Sequence, residues 1–202
     1  MPRPLRLAVT ELPMHVVQRG HDRGTCFFRA SDYRLYLGAL QFAAAHYGVQ
    51  VHAYALMTNH VHLLVTPLRP HAVSRMLQWV GGRYVRRVND ARARRGTLWE
   101  GRHRACLVAS DGHVLAACRY IDLNPVRAGI VGNPVDYAWS SYGALAGRRT
   151  ERWLVPHPTL EQIGAVPGAA YTAWCERGIA DSELGAIRDA TRRQVQFAGL
   201  YP

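Results

Sequence analysis

The chain contains no lysine: all 25 of its basic residues are arginine, set against 14 acids, for a formal net charge of +11 over 202 residues. It also lacks any apolar run approaching the ~20 residues that a bilayer-spanning helix needs. The stretch Met1-Pro2-Arg3-Pro4-Leu5-Arg6 has no signal-peptide h-region. These absences predict a soluble, cytoplasmic protein with no membrane partner. Cysteine is sparse, and Cys26, Cys106, Cys118 and Cys175 are scattered without a C-x-x-C pair. That excludes a zinc ribbon and a disulfide framework, and it predicts reduced thiols. Internal repeats and low-complexity tracts are also missing.

With 49% hydrophobic residues, the chain can bury the core of one globular domain with a short appendage. The charge is unevenly spread. Residues 1–110 hold 16 arginines against 5 acids, and residues 111–202 hold 9 against 9. A basic half of this kind is the electrostatic footprint of a polyanion, and arginine can fork two donors onto a phosphate or a guanine edge. The plainer alternative, a solvated face kept for solubility, does not explain the clustering.

Met14 to Arg19 alternates apolar and polar residues behind Pro13 and reads as a first strand, followed by a turn from Gly20 to Gly24. Ser31 or Asp32 is placed to cap a helix with Tyr33, Leu37, Leu40 and Ala44 at helical spacing, closed by Gly48. Residues 49–57 and 61–66 are β-rich runs joined through Thr58, Asn59 and His60. A second helix begins at His71, with Val73, Met76, Leu77, Val80, Tyr84, Val85 and Val88 on its apolar side and Gly81-Gly82 as a site for a kink. Its other side and exit carry Arg83, Arg86, Arg87, Arg92, Arg94 and Arg95, assigned to DNA backbone phosphates. Residues 98–108 read as a further strand bearing Arg102 and Arg104, in which Trp99 either stacks on an unpaired base or fills the core. Asp111 is placed to cap a helix over 114–124 that Pro125 closes, and a last helix is predicted over 182–195.

Two places carry chemistry. In Thr58-Asn59-His60-Val61-His62-Leu63, alternation along a strand points His60 and His62 the same way, so two imidazoles converge as on a divalent metal. Taken alone, the spacing fits one core histidine and one rim histidine better than a metal site. On the helix, Tyr120 and Asn124 at i and i+4 share a face. A free phenol, with a pKa near ~10, is a poor nucleophile until a cation binds the phosphate it attacks. Asn124 could supply a third ligand to such a cation. In the plainer reading Tyr120 is a core residue and Asn124 a helix cap.

Three motifs together decide between these readings. The strand Ala55-Leu56-Met57-Thr58-Asn59-His60-Val61-His62-Leu63-Leu64-Val65, the segment Thr97-Leu98-Trp99-Glu100-Gly101-Arg102 and the helix Arg119-Tyr120-Ile121-Asp122-Leu123-Asn124-Pro125-Val126-Arg127-Ala128-Gly129 closely resemble the REP-associated tyrosine transposases, which are single-tyrosine HUH transposases. The resemblance runs from about Leu5 to Tyr142 and includes Gln18-Arg19-Gly20 and Trp139-Ser140-Ser141-Tyr142. It departs from the family at Thr58, where proline is usual. Residues 187–193 look like the tail of longer members.

The resemblance implies an α+β, ferredoxin-like antiparallel sheet with helices packed on one side, the histidine pair on a central strand and the tyrosine on a late helix. The catalytic domain is expected over 1–145 and a short helical C-terminal extension over 146–202. The implied partner is single-stranded or hairpin DNA of a repetitive extragenic palindrome, in a cytoplasmic, nucleoid-associated setting. The implied activity is nicking and strand transfer with Mg²⁺ or Mn²⁺ held by His60, His62 and Asn124. Tyr120 is the nucleophile, and Glu100 orients a histidine or moves a proton. Monomer and homodimer are both compatible, with Tyr120 acting in its own subunit or a partner's. The alternatives are a DNA-binding protein that does not cleave, and a metallonuclease in which water attacks.

Overall fold

Four strands form the scaffold that holds the site. A computed structural model describes residues 9–165 and 168–193 of the chain. The segment Met1–Arg6 and the predicted helix end at Val195 therefore lie outside the described residues. The strands are β1 (Met14–Arg19), β2 (Val49–Met57), β3 (His60–Pro67) and β4 (Arg104–Leu107), in the order β2-β3-β1-β4. Every pairing is antiparallel. β2 and β3 form a hairpin closed by Thr58 and Asn59, so the departure from the family pattern at Thr58 falls in the turn. The predicted strand over 98–108 is shorter than expected. Residues 98–103 instead fold back as a loop, fixed by His21 N donating to Leu98 O and Glu100 N donating to Arg19 O.

The register sorts side chains onto two faces, because directly opposed residues in an antiparallel pair point the same way. Arg19 opposes His60, and Val17 opposes His62 and Arg104. Together with His15 they make one polar-lined face. Val16, Val61, Leu63 and Val65 occupy the other face and are buried.

Helices α1 (Ala30–Tyr47) and α2 (Ala72–Ala91) pack on that apolar face. Tyr36, Leu40, Met76 and Tyr84 are fully buried there, each worth about 1.5–3 kcal/mol of apolar burial. The start of α1 is held by Asp32 as third residue, not as cap: its carboxylate accepts from the Phe28 and Arg29 backbone N–H groups. Gly48 adopts φ +70° and ends the helix in the left-handed conformation. The Gly81-Gly82 pair leaves α2 as one continuous helix. A Cβ at Gly81 would only reach ordinary van der Waals contact with Trp99, 3.5 Å from its Nε1.

The remaining helices are α3 (Asp111–Asp122), α4 (Asn124–Arg127), α5 (Tyr142–Leu145), α6 (Pro158–Gln162), α7 (Ala169–Glu176) and α8 (Asp181–Arg193). Ser110, not Asp111, caps α3 by accepting from His113 N. α3 packs on β2 and β3, and α8 packs on β1 and β4. Helices therefore cover both faces of the sheet, not one. This second layer is pinned by the wholly buried Asp122, which accepts from Ser141 Oγ at 2.6 Å and Tyr171 Oη at 2.6 Å. Ser141 also accepts from Tyr54 N at 2.9 Å, so the Trp139-Ser140-Ser141-Tyr142 box ties α3 to the edge strand β2. Among the described residues no helix is long and apolar enough to cross a membrane.

Candidate active site

Because β3 alternates, His60 and His62 share the polar face, and their ring centroids lie 4.7 Å apart. Asn59 fixes His60. Its amide N–H donates to Arg23 O at 2.9 Å, which turns Oδ1 toward His60 Nδ1 at 2.6 Å. An amide oxygen only accepts, so Nδ1 carries the proton and Nε2 keeps its lone pair. Burial lowers the His60 pKa to about 4, helped by the Arg19 charge. Burial also lowers His62, with added pressure from His15, His60 and nearby arginines. Both imidazoles are neutral at physiological pH, the form that binds a metal.

His15 completes a row. Its Nε2 lies 2.9 Å from His62 Nδ1, the two ring planes are within 10° of parallel, and its Nδ1 lies 3.0 Å from Thr191 Oγ1 on α8. Burial, then the Arg127 and His60 charges, lowers its pKa to about 3.

Tyr120 projects from the last turn of α3 onto this row. Its ring meets His62 edge-on at 5.5 Å and His15 at 5.6 Å. Behind it, the Arg127 guanidinium carbon sits 4.1 Å from the ring centroid. Arg127 Nη2 also donates to Asn124 Oδ1 at 3.0 Å.

A cavity of about 330 Å³ opens in front of Tyr120 and His62, with Glu100 on its wall. Arg19, Arg102 and Arg104 come from the sheet side, and Arg188 and Arg192 from α8. Five arginines against one carboxylate give the cavity a strongly positive lining.

The sequence-predicted residues do not all fall in one place. Tyr120, His62, Glu100, Arg102 and Arg104 share the cavity, and His60 adjoins His62. Asn124 is buried, and its carbonyl oxygen is already engaged by Arg127. Arg83, Arg86 and Arg87 are exposed on α2, across the sheet from the cavity, where they line a separate groove with Trp79. Arg92 lies 3.6 Å over the Phe28 ring and shares a hollow of about 370 Å³ with Arg94, and Arg95 is exposed beside it. Of the two readings of Trp99, stacking on a base or filling the core, the structure shows the second. It is 5% exposed and packs against Tyr36 and Tyr84, so its faces serve the core and are closed to a base.

Arg19, His15, Arg127 and the α8 residues Arg188, Thr191 and Arg192 were not singled out as site residues from sequence. His15 and Arg19, four apart on a strand, share a face, but only the β1–β3 register reveals that this face carries the histidines. Arg127 lies on α4, past the end of the Tyr120 helix at Leu123, so no spacing within one helix pointed to it.

Among the described residues no group of three histidine, cysteine, aspartate or glutamate side chains could hold a metal. The donor set is therefore two neutral imidazoles, which fits a divalent ion whose other positions are taken by phosphate oxygens and water. Asn124 fits less well while Arg127 occupies its oxygen.

The family model described as Transposase IS200 like matches residues 8–124, more than half of the chain. Among solved structures, a REP-associated tyrosine transposase bound to a REP hairpin is similar with a TM-score of 0.62 at 14% identity, over 78% of this chain and 92% of that one. A Deinococcus radiodurans protein classed provisionally as a transposase is similar with a TM-score of 0.41 at 20% identity, over 56% of this chain and 91% of that one. No curated protein matches.

Proposed function

The chain belongs to the IS200-like transposase family, and on that premise we propose that it nicks single-stranded DNA and transfers the strand through a covalent 5′-phosphotyrosine link on Tyr120. The observation that carries this reading is the meeting of Tyr120, His62 and Glu100 in one arginine-lined cavity. The Tyr120 oxygen attacks the scissile phosphorus, a Tyr–O–P bond forms, and the P–O3′ bond breaks to free a 3′-hydroxyl. Glu100 takes the phenolic proton and returns it to the departing 3′-oxygen. Attack by a 3′-hydroxyl from another strand reverses the step, so no nucleotide cofactor is consumed. Arg19, Arg102 and Arg104 hold the phosphate in line.

The Nε2 atoms of His60 and His62 would hold Mg²⁺ or Mn²⁺, with Asn124 able to join only by sharing its oxygen with Arg127. The ion supplies Lewis-acid polarisation of the phosphate when bound.

The substrate class is hairpin-bearing single-stranded DNA, the kind of ligand in the similar solved structure. Arg83, Arg86 and Arg87 would meet stem phosphates on the other side of the molecule, and Arg92, Arg94 and Arg95 the flanking strand. The catalytic machinery is assigned to residues 1–145, and the extension over 146–202 adds a cavity wall through α8. A cytoplasmic, nucleoid-associated location accompanies this reading.

The test is incubation of the full chain with hairpin-bearing single-stranded DNA and Mg²⁺, followed by denaturing electrophoresis. A protein–DNA adduct that Tyr120→Phe abolishes supports the proposal. Cleavage without adduct that survives Tyr120→Phe indicates water as nucleophile, and binding without cleavage indicates a non-catalytic protein.

A further inference from the structure

Thr191, on α8, lies far from every motif of the catalytic domain, yet it ends a buried chain of hydrogen bonds that leads to His62. Its hydroxyl donates to Ile187 O at 2.8 Å. A hydroxyl has one proton, so Oγ1 can only accept from its other neighbours. With that proton placed on Ile187 O, the shorter of the two contacts, His15 Nδ1 at 3.0 Å is the donor. A neutral imidazole has a single N–H, which leaves His15 Nε2 as an acceptor and makes His62 Nδ1, at 2.9 Å, the donor to it. His62 Nε2 is left with its lone pair. Cys106 Sγ, 3.6 Å from Thr191 Oγ1, donates to the second lone pair of the same oxygen. His15, His62 and Thr191 are 2%, 4% and 8% exposed, so water cannot readily replace a missing member.

We propose that Thr191 is a positioning residue for the proposed metal-binding pair, acting through His15 to hold the His62 proton on Nδ1 and the lone pair on Nε2. His60 reaches the same tautomer by a separate route through Asn59 and Arg23 O. The C-terminal extension thus contributes to the chemistry of the site as well as to its wall. A ring whose free nitrogen carries the proton cannot bind a cation until it turns or loses that proton, so the tautomer is a condition of binding. The inference rests on His60 and His62 being the ligands, as proposed above.

Two measurements on the full chain separate the inference from that reading. The first is a long-range ¹H–¹⁵N spectrum of histidine-labelled protein without metal, which reports each ring's tautomer directly. His62 protonated on Nδ1 is the expected result in the wild type, and protonation on Nε2 overturns the inference whether or not the protein binds metal. The second is Mn²⁺ binding by calorimetry. Thr191→Val, which cannot accept, is expected to weaken Mn²⁺ roughly 10–100-fold, the usual cost of losing an outer-shell partner. Thr191→Ser is expected to restore it. Wild-type affinity in Thr191→Val overturns the inference. Unaltered Mn²⁺ binding in His62→Ala would instead refute the metal assignment, while the tautomer measurement still decides the role of Thr191.

Discussion

Arg127 stands over the ring of Tyr120, its guanidinium carbon 4.1 Å from the ring centroid, and with the same side chain holds Asn124 Oδ1 at 3.0 Å. One cation thus packs on the ring of the proposed nucleophile and occupies the amide that sequence spacing offered to a metal. A partly desolvated cation–π contact is worth about 1–2 kcal/mol. Arg127→Met, which keeps the stem and loses the charge, should therefore slow adduct formation roughly tenfold or more. Affinity for single-stranded DNA should change little, because the cavity arginines remain. Single-turnover cleavage rates check this against filter binding on the same variant.

Trp99 is a core residue, so its substitution should act on stability and not on recognition. Trp99→Ala is expected to cost about 3–5 kcal/mol, seen as a large fall in melting temperature. The milder Trp99→Phe should bind hairpin DNA with wild-type affinity. A selective loss of DNA affinity in Trp99→Phe, with stability intact, would return the residue to a stacking role.

Two sets of arginines lie on opposite sides of the sheet. Arg102→Ala and Arg104→Ala should reduce the cleavage rate at saturating DNA, because these side chains line the cavity with Tyr120. Arg83→Ala, Arg86→Ala and Arg87→Ala, across the sheet, should leave that rate near wild type and weaken binding. Removing one arginine–phosphate pair is expected to reduce the slope of log affinity against log salt by about 0.7–0.9. Affinities measured over a salt series distinguish the groups.

Stability should fall in acid. The pKa values of His15, His52 and His60 are lowered from 6.5 to about 3, 4 and 4, chiefly by burial, and His62 is lowered in the same direction. Below pH 6.5 the unfolded chain therefore binds protons that the native chain refuses, and native stability drops as pH falls toward 4. Asp122 opposes this trend. Burial raises it from 3.8 to about 7, so its contribution is full below 3.8 and is lost as pH rises through 7. Melting temperatures between pH 7 and pH 4 should decline, and Asp122→Asn should make the decline steeper.

Much of the fold and part of the site are legible in the sequence. The His60-Val61-His62 alternation and the Tyr120 helix fall where local periodicity puts them. The two-residue turn at Thr58-Asn59 is close to its predicted position for the same reason. What escapes depends on pairing between distant segments. That His15 meets His62 follows from the β1–β3 register, and no spacing within either strand encodes it. The helices over the second face, held through Asp122, Ser141 and Tyr171, join residues with no common periodicity. The arginines of α2 form one group with Arg102 and Arg104 in sequence, and the sheet separates them. Trp99 offers an aromatic residue between basic ones, and only its burial assigns it to the core.

Locating the covalent bond tests the central claim most directly. The full chain is incubated with Mg²⁺ and a hairpin-bearing single strand, digested with trypsin and nuclease, and the nucleotide-bearing peptide is sequenced by mass spectrometry. The predicted result is a 5′-phosphonucleotide on Tyr120, in the peptide after Arg119. A nucleotide on another residue, or cleaved DNA with a free 5′-phosphate and no modified peptide, would contradict it.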